Sequence, residues 1–444
     1  MSLILNNKFL TNIALIILGI LSSYSLPPYN FFFINFFTFP FLFYILVINS
    51  NQNLFNNFLI GWFFGFGYFL SNLYWISHSL KFDENFEYLI IPSIILIPAL
   101  LSIYYGLFSF CTRFFKMKMN FNSILTFSLT LSFFEYLRGT IFSGFPWNLI
   151  LFSISDLNHS IQILSLIGTY SLNLIVINLY CLPIILLFKI KIQKKVIIFL
   201  TIITILSFNA NYGHNRIDHI EQRTKKEIVP PIKLISPKFN IERFFVDEPI
   251  ENRLNELIQI SSPLNKDFLL IYPEGVTTIS ELYKSLNNLD QISNQLSNRS
   301  KIIMGISLEN GKKIFNSLAL FDKNFLIEDK YYKNRLVPFG EFLPFERILS
   351  NLGLKKITQG YKSFSNSNER NIITVNSTSF LPLICYEIIF SGQLNKNRYE
   401  YDFILNISED GWFGNSVGPV QHFSHSIFRS IEEGKDVLRV ANNG

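Results

Sequence analysis

Seven long apolar segments fill the first half of the chain, near residues 9–25, 30–48, 56–80, 88–112, 122–138, 160–188 and 196–210. Most approach or exceed the roughly 20 residues that a helix needs to cross a hydrocarbon core of about 30 Å, and the last, which is short, relies on its flanks. This predicts a polytopic helical membrane domain over residues 1–210, with about seven spans. Composition agrees: 49% apolar residues, with 48 phenylalanines in 444 positions, are too many for an ordinary soluble protein.

Lys8 precedes the first apolar segment as in a secretory signal, but Ser23-Tyr24-Ser25-Leu26-Pro27-Pro28 is a poor small-residue cleavage site, so the segment is read as a span. The 113–121 loop carries Arg113, Lys116 and Lys118, and the 189–195 loop carries Lys189, Lys191, Lys194 and Lys195, with no acids in either. Loops between them lean acidic, with Asp83, Glu84 and Glu87 against Lys81 in one and Asp156 in another. By the positive-inside rule the basic loops are cytoplasmic, and an odd number of spans then carries everything after residue 210 outside. Much of the net charge of +6 lies in these loops, and no aromatic-basic recognition motif accompanies it, which argues against a nucleic-acid partner.

After residue 210 charges become frequent and apolar runs shorten. Residues 211–230 read as a solvated linker, and Pro230-Pro231 opens a soluble domain over 231–444. Short runs at 232–235, 268–272, 302–306, 317–321, 380–384 and 403–407 read as strands, and 279–296 and 420–434 as helices. Strands interleaved with helices predict an α/β layered domain.

Three residues there carry chemistry. Cys385 ends the apolar run Leu381-Pro382-Leu383-Ile384, while Cys111 and Cys181 lie in the apolar half, so it has no evident soluble disulfide partner. Glu274 follows Leu269-Leu270-Ile271-Tyr272-Pro273, where a strand end opens. Lys333 sits in Tyr331-Tyr332-Lys333-Asn334-Arg335-Leu336-Val337-Pro338-Phe339-Gly340-Glu341-Phe342-Leu343-Pro344-Phe345, a mixture of charge, aromatics and two prolines that a merely solvated loop rarely needs. A thiol with a distant acid and amine suggests covalent catalysis.

The order Glu274, Lys333, Cys385 and the local words around them resemble the nitrilase superfamily of carbon–nitrogen hydrolases. With the membrane half, Glu135-Tyr136-Leu137-Arg138-Gly139, Gly144-Phe145-Pro146-Trp147 and Asp410-Gly411-Trp412-Phe413-Gly414, the resemblance narrows to the apolipoprotein N-acyltransferases. It implies an αββα sandwich in a bacterial inner-membrane protein with its catalytic domain in the periplasm. It also implies a general base at Glu274, an oxyanion-stabilising Lys333 and a thioester-forming Cys385. The implied donor is a phospholipid acyl chain and the implied acceptor is the amine of an S-diacylglyceryl cysteine on an apolipoprotein. No cofactor is implied.

Further positions follow from the same resemblance. Glu341 matches a glutamate that supports the lysine and base, and Tyr386 and Glu387 shape the site. Phe244, Phe245, Phe339, Phe342, Trp412 and Phe413 are expected to cover acyl chains, with Phe244-Phe245 standing where the family usually has a tryptophan. The family pattern continues past Gly444 to further strands and a final membrane helix, so the resemblance implies a fragment. Glu135 and Arg138 have the spacing of an i,i+3 pair. His422 and His425 share a helix face, but no further soluble ligand cluster accompanies them, so no metal site is expected. Two other readings stay open: a membrane-tethered amidase using water, and a transporter or receptor, which few ionisable residues in the spans and the lack of an internal repeat disfavour.

Overall fold

Helices α1 (Lys8–Ser23), α2 (Asn35–Ile48), α3 (Leu54–Leu73), α4 (Ile90–Thr112), α5 (Phe121–Thr140), α6 (Leu164–Cys181) and α7 (Ile192–Glu221) lie on the seven apolar segments. They belong to a computed structural model that describes residues 7–222, 230–244, 249–262, 264, 266–285, 289–352, 356, 363–395, 397 and 399–444. With the tight turns that extend them, four helices among the described residues are long and apolar enough to cross a membrane, those spanning Leu54–Phe82, Glu84–Phe115, Leu164–Leu187 and Ile192–Glu221. Asparagines start three of the seven: the side chains of Asn7, Asn53 and Asn120 accept from the first-turn amides of Phe9, Asn56 and Ser123.

Chain contacts define two units, the first comprising Met1–His78, Glu87–Thr224 and Val420–Glu433, the second Ser79–Phe86, Lys225–Pro419 and Gly434–Gly444. In the first, glycines bring helix backbones into direct contact. A Cβ on Gly19 would lie 2.0 Å from Phe64 O, and one on Gly61 would lie 2.0 Å from Tyr105 O, so α3 packs on α1 and α4 only because those side chains are missing. Glu135 and Arg138 form the i,i+3 pair at 3.7 Å, both fully buried. Tyr105 and Asn173 donate to the carboxylate, and the guanidinium donates to Phe145 O and Asn148 O, so the pair organises the turn after α5. α7 presents Ile197, Leu200, Ile203 and Phe208 outward, each more than half exposed, as a lipid-facing helix does.

Helix α7 runs through Glu221, past the residue-211 start expected for the linker. Its polar end remains helical because Arg216 reaches Gln162 and Gly213 packs on the His159 backbone. The 160–188 segment is not one uniform helix: Gly168, at φ +73°, breaks it, and Glu432 accepts from Thr169 N and Oγ1 at 2.9 and 3.0 Å where the helix resumes.

Among the described residues the second unit contains two sheets. One has the order β1 (Ile232–Leu234), β2 (Leu269–Ile271), β4 (Lys301–Asn310), β5 (Lys313–Phe321), β6 (Ile327–Tyr332), with β3 (Thr277–Thr278) also beside β4. The other has the order β10 (Asp436–Asn442), β9 (Phe403–Glu409), β8 (Thr378–Ile384), β7 (Ile373–Val375). β1, β2 and β4 pair in parallel, as do β8, β9 and β10, whereas β4–β5–β6 and β7–β8 are antiparallel. Helix α8 (Ile250–Ser261) places Leu254, Leu257 and Ile258 on a core with Leu270, Ile302 and Met304, which its i, i+3, i+4 apolar spacing dictates. The helix expected over 279–296 is shorter: α9 (Ile279–Lys284) closes at Ser285, and a separate turn covers Asp290–Ser293. Helix α10 (Gly418–Glu433) lies in the chain between β9 and β10, and parallel strands need a connection at least that long. A helical N-terminal part followed by a mixed α/β domain is the architecture the sequence predicts.

Candidate active site

Glu274 is delivered by the end of β2. The chain leaves the strand through Tyr272 and Pro273, and Gly305 N on β4 donates to Pro273 O at 3.0 Å. A Cβ on Gly305 would lie 2.4 Å from Glu274 Cα, so glycine there is what allows the backbone of residue 274 to lie against β4. Lys333 follows β6 and stays in register with β5, its N–H donating to Asn316 O at 2.9 Å.

The structure brings these two side chains together with Glu341. Lys333 Nζ donates to Glu274 Oε1 at 3.2 Å and to Glu341 Oε1 at 3.0 Å, and the ammonium is 1% exposed. Asn316 Nδ2 donates to the same two oxygens, at 2.7 and 2.6 Å. Glu341 is held in turn by Val337 N, which donates to its Oε2 at 2.8 Å. The Glu274 Oε2 atom accepts from Glu409 N at 3.0 Å. Burial by itself would lower the Lys333 ammonium, but Glu274, then Glu341 and Cys385, outweigh it and hold the amine above the usual lysine range.

Cys385 lies at the end of β8 on a backbone with φ +50°, a left-handed conformation that costs a non-glycine residue and turns the thiol out of the strand. It is buried. Burial and the Glu274 and Asp410 carboxylates push the thiol well above its ordinary range, while Lys333 and a hydrogen bond with Ser408 pull it back. These surroundings favour the thiol over the thiolate. Such a thiol reacts only when a base removes its proton.

Glu387 ties the turn at Cys385 to the loop after Lys333. Its Oε2 accepts from Ile384 N at 2.8 Å, and its Oε1 accepts from Tyr331 Oη, Asn334 N, Arg335 N and Arg370 Nη2 at 2.7 to 3.2 Å. One buried carboxylate thereby fixes both the turn that carries Cys385 and the loop that follows Lys333. Tyr386 is buried, with its ring edge-on to Phe390 at 5.1 Å.

Two of the expected aromatic residues pack on each other. Phe244 stacks on Trp412 at 5.6 Å, and Trp412 meets the edge of Phe82 at 5.7 Å. Phe339, at φ +63°, is 48% exposed, and Phe339 N donates to Phe342 O at 2.8 Å across a tight loop. Phe342 and Phe413 are half-buried, and Phe245 lies outside the described residues. In the helical unit His422 and His425 face Trp147 at 5.2 and 5.3 Å, and among the described residues no group of three or more His, Cys, Asp or Glu is arranged to hold a metal ion.

Sequence reasoning missed Asn316, Ser408, Arg243 and Glu409. Asn316 left a usable signal, since an asparagine between Phe315 and Ser317-Leu318 interrupts an apolar strand. Ser408 donates to Asp410 Oδ1 at 2.6 Å, and Arg439 Nη2 pairs with Asp410 Oδ2 at 2.7 Å.

Comparison with known proteins bears on both halves. The model of the apolipoprotein N-acyltransferase N-terminal domain matches residues 18–182, and that of carbon-nitrogen hydrolase matches residues 272–444. The apolipoprotein N-acyltransferase of Rickettsia typhi is 32% identical over 98% of this chain and 86% of its own length. That of Rhizobium rhizogenes is 27% identical over 97% of this chain and 84% of its own length. Among solved structures, Saccharomyces cerevisiae Nit3, a member of the nitrilase superfamily, is 15% identical, covers 49% of this chain and 79% of that one, and has a TM-score of 0.33. The chain is a membrane protein and belongs to the apolipoprotein N-acyltransferase family.

Proposed function

We propose that the chain moves an acyl group from a membrane phospholipid to the N-terminal amine of an S-diacylglyceryl cysteine on an apolipoprotein, through a thioester on Cys385. Glu274 takes the thiol proton as sulfur attacks the ester carbonyl of the phospholipid. The S–C bond forms, the C–O bond breaks, and the departing alkoxide of the lysophospholipid receives that proton. In the second half-reaction Glu274 deprotonates the incoming amine, nitrogen attacks the thioester, the C–S bond breaks and the thiol is restored. Lys333 offsets the oxyanion charge in both tetrahedral intermediates, and such a donor is worth on the order of 10²–10³ in rate.

The observation that carries this reading is the buried contact of Lys333 Nζ with Glu274 Oε1, at 3.2 Å, whose charges both act on the Cys385 thiol. Membership of the family supplies the lipid and lipoprotein character of the substrates. Phe244, Trp412, Phe339, Phe342 and Phe413 are assigned to acyl-chain cover, and the protein is placed as a multi-pass protein of the bacterial inner membrane with residues 231–444 in the periplasm. An amidase would use the same three side chains with water as acceptor. The test is a two-stage assay in which purified protein is loaded with phospholipid and then offered either a diacylglyceryl-cysteine peptide or water alone. N-acylated peptide formed from the loaded enzyme supports transfer; rapid release of free fatty acid, with or without peptide, contradicts it.

A further inference from the structure

Arg243, Glu409 and Asn442 meet beside Glu274 although they come from three distant parts of the second unit. Arg243 Nη2 donates to Glu409 Oε2, and the two side chains are 5% and 1% exposed. Asn442 Nδ2 donates to Glu409 Oε1 and Oε2 at 3.0 and 2.8 Å and to Phe239 O at 2.9 Å, while Asn442 Oδ1 accepts from Phe239 N at 2.7 Å. Gly411 N donates to Glu409 Oε1 at 2.9 Å. The Glu409 side chain is thus fixed from the 241–244 turn, from β10 and from the turn after β9. The backbone of the same residue, in register with Asn442 on β10, donates its N–H to Glu274 Oε2 at 3.0 Å.

That hydrogen bond matters to a base. The Oε1 atom of Glu274 already accepts from Lys333 and Asn316, so Oε2, with one amide donor, has a lone pair left for a proton from the nucleophile. Rotating the Glu409 amide would turn the carboxylate and spoil that lone pair's aim. The same residues set the aromatic pair. The Arg243 guanidinium lies 4.3 Å from the centre of the Phe244 ring, Phe244 covers Gly275 and stacks on Trp412, and Trp412 follows the Gly411 that Glu409 holds. Stability is a weak explanation for the pair: buried ion pairs are often no better than apolar packing, and Arg243 Nε is buried with no hydrogen-bond partner among the described residues.

We propose that Arg243 and Glu409 are positioning residues, a buried ionic lock that aims the Glu409 N–H at Glu274 and holds Phe244 against Trp412, so that base and aromatic cover move as one body. The proposal rests on the reading of Glu274 as general base. Burial pushes the Glu409 carboxyl up to about 7, against the pull of Arg243, Asn442 and Gly411 N. Among the described residues the charged groups around it are Arg243, Glu274 at the other end of its amide, and the neighbouring Asp410 with its partner Arg439. The lock is ionic above that pH and loosens below it.

The test is single-turnover acylation of Cys385 by the full chain in nanodiscs of palmitoyl-oleoyl phosphatidylethanolamine and phosphatidylglycerol, followed by intact mass across pH and normalised to folded protein. Arg243→Gln and Glu409→Gln are each expected to slow acylation about 100-fold, the scale of an ångström-level misplacement of a reacting group. The double variant, which pairs two amides without a buried charge, is expected to recover at least about tenfold of that loss. In Arg243→Gln the carboxyl loses its cation, so the rise of acylation with pH moves to more alkaline values. If Glu409→Gln does not accumulate, Arg243→Lys, which keeps the cation but not the planar fork, is expected to retain the wild-type pH midpoint at a reduced rate. Wild-type rates in the single variants, or reduced rates on an unmoved pH profile in Arg243→Gln, would overturn the lock. Glu274→Gln in the same assay separates the two claims: if it acylates normally, the base assignment itself fails, whereas its inactivity beside normal Arg243→Gln rejects only the lock.

Discussion

Lys333 Nζ donates to Glu274 Oε1 at 3.2 Å although 59 positions separate the two residues in the chain. Both side chains are out of water, so the contact is an ion pair in a medium where an unpaired charge is costly. Lys333→Met would leave Glu274 and Glu341 as neighbouring carboxylates with Asn316 between them. The variant is expected to lose at least about 100-fold in acylation rate, because the oxyanion loses its cation. Single-turnover mass measurement checks this, and wild-type thioester formation would remove Lys333 from the chemistry.

The charges around Cys385 predict an ordering of thiol reactivity. Glu274 raises the thiol and Lys333 lowers it, so removing the carboxylate enlarges the thiolate fraction at a given pH and removing the ammonium shrinks it. Alkylation of Cys385 by iodoacetamide is expected to run fastest in Glu274→Gln, slower in wild type and slowest in Lys333→Met, with the midpoint moving to lower pH in the first and higher pH in the last. Acyl transfer follows no such order, since Glu274→Gln has lost its base. Peptide mapping of the alkylated residue after timed exposure measures it, and the reverse ordering would refute the electrostatic account.

The close approach of β4 to residue 274 gives a third expectation. Gly305→Ala places a Cβ 2.4 Å from Glu274 Cα, backbone against side chain with no flexible end to yield. Glu274 must shift, and a shift on the ångström scale costs about 100-fold in acylation. Because Lys333 and Cys385 are carried by other elements, alkylation of Cys385 is expected to persist. Full acylation activity in this variant would mean that the position of Glu274 is not critical.

Much of this was legible in the sequence, and the gaps have physical causes. Glu274 and Cys385 stand at the ends of apolar runs, where a strand end makes a side chain's place predictable, Lys333 stands in a loop of charge, aromatics and prolines, and Glu341 and Glu387 were reached only through the resemblance of the words around them. The Arg243–Glu409–Asn442 meeting was not legible, because it depends on the parallel register that sets Asn442 beside Glu409 on β10 and β9. α8 has a readable signal in its apolar spacing, at Leu254, Leu257 and Ile258. The helix expected over 279–296 failed for a local reason: its apolar positions continue beyond Ser285, but the backbone of α9 is closed there by Ser285 N donating to Leu282 O. In the linker the charged composition suggested solvation, while contacts with Gln162 and His159 keep α7 helical to Glu221.

The basic loops give a further expectation, for orientation. Arg113, Lys116 and Lys118 follow α4, and Lys189, Lys191, Lys194 and Lys195 surround the start of α7. If these loops are cytoplasmic and α7 crosses the bilayer, a reporter fused after Gly444 is periplasmic. Alkaline phosphatase fused there is expected to be active and green fluorescent protein dark. The opposite pair of results would reverse the topology.

In the proposed reaction Cys385 carries the acyl group between two lipid substrates. The most direct measurement is the intact mass of the full chain after incubation with phospholipid alone, with Cys385→Ala in parallel. The account predicts one fatty-acyl increment in the wild-type protein, mapped to Cys385, removed by hydroxylamine and absent from the variant. An unmodified wild-type protein that nevertheless N-acylates a diacylglyceryl-cysteine peptide, or an increment that persists in Cys385→Ala, would contradict it.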